Sequence, residues 1–166
     1  MNADRLWAPW RSGYVSGTAP HPEGCLFCAI SAGGDDEADL VLMRGARVFV
    51  VMNRYPYVNG HLMVVPHRHA AWLSELDLAE TTELVAALAL CETALREGMR
   101  CAGMNGGWNV GRCAGAGVEG HIHLHILPRW NGDVNFMTPV AGARVISEDL
   151  GTTFARLRPF FVEGGA

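Results

Sequence analysis

His121-Ile122-His123-Leu124-His125-Ile126-Leu127 alternates strictly between imidazole and aliphatic side chains. An extended backbone turns successive side chains to opposite faces, so this run predicts a strand with three imidazoles on one face and Ile122, Leu124 and Ile126 on the other. The aliphatic face belongs in a core, which leaves the row of histidines facing a ligand. Pro128 marks the expected end of the strand.

Reading outward, Gly103, Gly106 and Gly107 precede an extended run at Trp108 to Gly111 and a turn of small residues. Before them, Asp77 and Glu80 have the spacing of a capping box, and Leu84, Leu88, Cys91, Leu95 and Met99 follow helical spacing. These residues predict one long helix that lays an apolar stripe on the sheet, with Cys91 as a small buried hydrophobe. Three further strand-like runs, Leu40 to Arg44, Val48 to Asn53 and Gly60 to Val65, are separated by Gly45 and by Pro56 to Gly60, and suit an antiparallel meander. Gly33 to Asp39 reads as an acidic turn. A short C-terminal helix is expected after Ser147, with Glu148 and Asp149 in its first turn. The expected class is α+β: an antiparallel sheet of about five strands, one long helix and a short C-terminal helix.

The chain has 166 residues, enough for one domain over 1–166. Residues 1–24 read as an irregular arm with aromatic anchors Trp7, Trp10 and Tyr14, 25–136 as the core, and 137–166 as an extension. The formal charge is −4, and all thirteen basic side chains are arginine. That balance argues against a nucleic acid polymer as partner, so a phosphate ligand must be held locally. The absence of lysine excludes Walker A, Schiff-base and lysine-adenylate chemistry. No apolar run reaches membrane-spanning length and the opening residues do not resemble a secretory signal, so no membrane association and a cytoplasmic location are expected. Among five cysteines only Cys25 and Cys28 form a close pair, which reads as metal binding or redox chemistry.

A neutral imidazole is a good nucleophile toward phosphorus near neutral pH, and a covalent intermediate divides one hard displacement into two easier ones. His123 is the geometric choice for that role, with His121 and His125 beside it to contact phosphate oxygens or orient the ring. Upstream, Asn109-Val110-Gly111 leads into Ala114-Gly115-Ala116-Gly117, whose bare backbone at Gly115, Ala116 and Gly117 can present N–H groups to an anion. Stacking on adenine or simple packing are both open to Trp7, Trp10 and Trp130. Cys101 and Cys113 have no partner pattern, and His21 reads as solvated.

The run Glu119 to Arg129, with its H-x-H-x-H core, resembles the signature of the histidine triad family. The segment from Met52 to Pro66 (MNRYPYVNGHLMVVP) resembles that family's nucleotide-binding hairpin. The resemblance covers roughly Cys25 to Phe136. It implies a homodimer with a shared sheet, Asn53 on the ribose, His61 near the phosphates, and a nucleotidyl-imidazole on His123. It further implies that His125 and the Gly115 to Gly117 backbone hold phosphate or assist the leaving group. The arm Arg5 to Arg11 and the Pro128-Arg129-Trp130 ending look like the bacterial branch that processes diadenosine polyphosphates, although glycine stands at 117 where other branches have Gln or Ser nearby.

Cys25-Leu26-Phe27-Cys28 has the spacing for one half of a tetrahedral zinc site. By resemblance His69 stands as the third ligand and His121 as the fourth, with His67 a competitor for the third place. Asn53 on its own reads first as a turn residue that ends a strand.

The expected chemistry is in-line attack of His123 on the α-phosphorus of a nucleotide substrate, then transfer to water or inorganic phosphate. It requires neither a catalytic metal nor an organic cofactor, only a structural zinc. A catalytic zinc held by the histidine row itself is disfavoured, because three ligands on a straight strand span about 13 Å. A phosphoramidate hydrolase or a nucleotide-binding protein with little catalysis are the alternatives.

Overall fold

A computed structural model describes residues 24–133 and 148–162. Most of the expected N-terminal arm, with Trp7, Trp10, Tyr14 and His21, lies outside these residues, as do Phe136 and Ser147. The elements are α1 (Leu26–Ala32), α2 (Asp36–Asp39), β1 (Val41–Arg44), β2 (Val48–Met52), β3 (Leu62–Pro66), α3 (Leu78–Gly98), β4 (Gly103–Gly107), β5 (Leu124–Arg129), α4 (Leu150–Leu157) and α5 (Pro159–Val162), with short 3₁₀ turns at Leu73–Glu75 and Arg112–Ala114.

The five strands form one antiparallel sheet in the order β1-β2-β3-β5-β4. Period 2 sorts its two faces. Val48, Val50 and Met52 of β2 pack with Leu62, Val64, Ile122, Leu124 and Ile126 against Leu84, Ala87, Cys91 and Leu95 of α3. Phe49 and Val51 point the other way, with Met63, Val65 and Phe27 of α1. Both faces are covered, so β2 and β3 are buried throughout and read as unbroken hydrophobic runs. The helix thus occupies one face and leaves the other for the histidines.

α3 starts where the capping box predicts: the Asp77 carboxylate accepts from Glu80 N at 2.7 Å and Glu80 accepts from Asp77 N at 2.9 Å. Glu83, one turn further on, accepts from the main-chain N–H groups of Arg47 and Val48 and ties α3 to the β1–β2 turn. The loop before β3 needs a glycine at 60, since its φ is +76° and a Cβ there would sit 2.3 Å from Met99 Sδ. Asp149 caps α4 through Thr152 N.

Several expectations need correction. The last strand is Leu124–Arg129 rather than His121 to Leu127, so His121 to His123 lead into the ladder without belonging to it, although their alternation of faces is kept. Pro128 does not end the strand. β3 pairs β5 no further than Ile126, so Pro128 has a strand neighbour on one side only, where a missing donor is tolerated. The strand beside it is Gly103–Gly107, and Trp108 to Gly111 is loop. Glycines there read as breakers, yet pairing with β5 overrides local propensity. The expected acidic turn contains the single-turn helix Asp36–Asp39, and the C-terminal helix starts at Leu150.

Candidate functional site

Cys25 and Cys28 sit at the N-cap and in the first turn of α1, three residues apart and so on one side of it. His69 follows β3 and His121 precedes β5. One donor atom from each of the four lies within 4.8 Å of the other three. The sulfur-to-nitrogen edges are 3.3 Å for Cys25–His121, 3.3 Å for Cys28–His69 and 3.6 Å for Cys28–His121, all through Nδ1. A tetrahedral zinc with ordinary Zn–S and Zn–N bonds requires edges of about 3.6 Å, so the donor set fits that ion.

His121 is set for that role by its other nitrogen. Nε2 lies 2.9 Å from the Pro66 carbonyl, which can only accept, so the proton is on Nε2 and the lone pair of Nδ1 faces the sulfurs. Burial, and the neighbouring sulfur of Cys25, raise the Cys28 thiol in the metal-free state. Metal binding would therefore release its proton. His67, the competing third ligand, is engaged elsewhere: Nδ1 meets Ser31 Oγ at 2.7 Å and Nε2 meets the Gly45 carbonyl at 3.1 Å.

The same reasoning fixes the remaining rings. His123 Nδ1 lies 2.8 Å from the His121 carbonyl and must donate to it, which leaves the lone pair on Nε2. Burial lowers the pKa of His123, partly offset by that hydrogen bond, so the ring is neutral near pH 7. His61 Nδ1 accepts the Tyr57 main-chain N–H at 3.2 Å, so a neutral His61 carries its proton on Nε2, 2.9 Å from His125 Nδ1. His125 in turn carries its proton on Nε2. Two adjacent imidazoles, with ring centres 4.9 Å apart, thus present opposite chemistry: a lone pair on His123 and a proton on His125.

The histidine row was expected to lie open to a ligand, and this needs correction. His61, His121, His123 and His125 are all buried, with His123 only 4% exposed. Phe27, between the two cysteines, explains much of this: its ring centre is 4.8 Å from His123 and 5.5 Å from His121. Tyr57 stacks on His61 at 4.8 Å.

The Asn53 side chain accepts from Tyr55 N at 2.9 Å, the turn role weighed for it. Asn109 is half-buried in the loop after β4. In the glycine loop, the N–H groups of Gly115 and Ala116 donate to the carbonyls of Arg112 and Gly111. Those two amides, expected to face an anion, are engaged within the turn. Trp130 donates its indole N–H to the Met99 carbonyl at the end of α3. Phe27 and Tyr57 were missed by sequence reasoning. Phe27 had a signal in its place between the cysteines, whereas Tyr57 acts through both its main-chain N–H and its ring on His61, contacts that only the fold brings about.

The HIT domain family matches residues 36–132. The chain is 38% identical over 156 residues to a Mycobacterium tuberculosis protein named AP-4-A phosphorylase, covering 90% of this chain and 80% of that one. It is 29% identical over 113 residues to an uncharacterized HIT-like protein of Saccharolobus solfataricus, covering 68% and 79%. A crystal structure of a zinc-bound histidine triad family protein from Mycobacterium smegmatis aligns with a TM-score of 0.69 at 28% identity, over 84% of this chain and 94% of that one.

Proposed function

Since this chain belongs to the histidine triad family, we propose that it is a nucleotidyl transferase or hydrolase that cleaves dinucleoside polyphosphates of the diadenosine tri- and tetraphosphate class through a nucleotidyl group on His123. The observation that carries this reading is the pair of fixed tautomers. His123 Nδ1–H is held on the His121 carbonyl, so Nε2 has a lone pair, and His125 beside it has a proton on Nε2.

In the first step Nε2 of His123 bonds to the α-phosphorus. The bond from that phosphorus to the bridging oxygen breaks, the oxygen takes the electron pair, and His125 supplies its Nε2 proton to the departing chain. In the second step an oxygen of inorganic phosphate or water gives its proton to Nε2 of His125 and bonds to the same phosphorus, and the N–P bond breaks, returning the electron pair to His123 and the proton to its starting place. Phosphate yields a nucleoside diphosphate and water a monophosphate. The likeness to a relative named AP-4-A phosphorylase favours phosphate.

In this reading His61 keeps His125 in its tautomer, Asn53 and Asn109 contact the nucleoside and phosphates, and the Gly117 backbone meets the phosphate oxygens, the Gly115 and Ala116 amides being engaged within the turn. A zinc ion on Cys25, Cys28, His69 and His121 would serve structure, holding α1 against the entrance to β5. The proposed homodimer joins two sheets along β4. That strand is at the sheet edge, beside a groove of about 660 Å³ lined partly by Val85, Leu88, Met104 and Trp108. No described helix is long and apolar enough to cross a membrane.

Turnover of diadenosine tetraphosphate with and without inorganic phosphate tests the proposal. ADP and ATP are expected with phosphate. His123→Asn should lower kcat at least about a thousandfold while nucleotide binding persists; unchanged turnover would refute the role given to His123.

A further inference from the structure

We infer that Arg112, paired with Glu119 across the glycine loop, is a displaceable cation that takes a phosphate beyond the α-phosphorus. This rests on the nucleotidyl-transfer reading and names how the rest of the substrate is held. The chemistry recognised is a phosphate dianion, either the far part of the polyphosphate chain or the inorganic phosphate that accepts the nucleotidyl group. The two fill the same region in turn, because the acceptor enters where the chain departs.

A polyphosphate chain carries several negative charges into a protein of formal charge −4 with no lysine. Arginine must supply the balancing charge. Several other described arginines already hold partners of their own. Arg54 holds the Ala38 carbonyl, Arg68 grips both oxygens of the buried Glu80, and Arg129 is locked in a two-pronged pair with Asp133. Releasing Arg68 strips a buried carboxylate and releasing Arg129 breaks a bidentate pair, both costly, whereas the carbonyl held by Arg54 is exposed.

Arg112 differs. It starts the 3₁₀ turn between Gly111 and Gly115, both at positive φ, nine residues before His121. Its side chain is 88% exposed and pairs with Glu119 at 2.8 Å, which is itself 43% exposed. The pair closes the loop that contains Gly117, whose backbone is assigned to phosphate contact. An ion pair between two solvated groups contributes little, so exchanging the carboxylate for a phosphate dianion costs little and gains charge and a bidentate fit. Glu119 then acts as a placeholder that keeps the guanidinium at the loop until phosphate arrives.

Calorimetric titration of the full chain with AMP and with adenosine tetraphosphate tests this without any need for turnover. Arg112→Gln should weaken tetraphosphate binding about tenfold while AMP stays within about twofold. Glu119→Gln should tighten tetraphosphate about threefold, since it releases the guanidinium. If the pair merely braces the loop, both substitutions shift affinity in the same direction and AMP follows tetraphosphate; that pattern overturns the inference, as does unchanged tetraphosphate affinity in Arg112→Gln.

A kinetic arm separates the two sources of phosphate. A raised KM for the dinucleoside polyphosphate in Arg112→Gln assigns the contact to the chain being cleaved, a raised KM for inorganic phosphate to the acceptor, and a change in neither contradicts it. Failure of the His123 assignment would appear as turnover independent of that residue and would leave the titration result standing.

Discussion

Glu80 shows how a single buried charge is kept. Arg68 donates to both of its oxygens at 2.8 and 2.7 Å, and the Asp77 N–H adds a third bond. The Arg68 hydrogen bonds come first among the effects that hold the carboxyl at about 2, against an ordinary 4.5, and they outweigh the opposing effect of burial. A carboxylate with a depressed folded-state pKa stabilises the fold fully above its unfolded pKa, and that contribution fades as pH falls toward the folded value. Thermal melts of wild type and Glu80→Gln should therefore differ most above pH 5 and converge between pH 4.5 and about 2. A gap independent of pH would contradict the ion-pair account. Cys91 illustrates the opposite case: burial pushes its thiol up to about 12, as suits the packing role read from the helical stripe. At this scale the sequence predicted the capping box and the buried cysteine, since both depend on local spacing. The tautomers were not legible, because they depend on the carbonyls of Pro66 and His121 and on the N–H of Tyr57, which only the fold brings into place.

Among the elements, α1 has a small hold on the rest of the molecule yet reaches the histidine row. It is seven residues long, buries Phe27 alone, and carries Cys28 and the Ser31 that meets His67. Short isolated helices are not stable in water, so the four-residue donor set is the natural anchor that holds it over the histidine row. Chelation, or Cys28→Ser, should remove one equivalent of zinc per chain and lower the melting temperature by roughly 5–10 °C, for a site about a hundredfold saturated. Metal analysis and calorimetry check both; an unchanged melt after metal loss would show that α1 needs no such tether. β2 and β3 were legible, to within a residue or two at their ends, as unbroken apolar runs. β4 was not, because Gly103 to Gly107 has almost no side chains to carry a period and exists as a strand through its pairing with β5. Pro128 misled for a related reason: whether proline ends a strand depends on where the neighbouring strand stops.

For the whole molecule, the sheet divides labour between its faces. One face carries the main core under α3; the other carries Phe27, the donor set and the imidazoles. His121 belongs to both systems on that second face, since its Nδ1 faces the cysteines and its carbonyl orients His123. The proposed zinc ligand and the proposed nucleophile are two residues apart on one extended segment, so an error in seating α1 would reach His123 directly. The alternation at 121–127 revealed this division from sequence because parity is geometric, while the burial of the row depended on Phe27 from a distant helix.

The proposed chemistry depends on a bond between phosphorus and Nε2 of His123. Rapid quenching of the enzyme with diadenosine tetraphosphate, under conditions that preserve an acid-labile N–P bond, followed by peptide mass analysis, tests it directly. An adenylyl group on His123, forming and decaying as fast as turnover, is the predicted result. Product release with no adenylylated histidine at any time, or with the group on His121 or His125 instead, would contradict it.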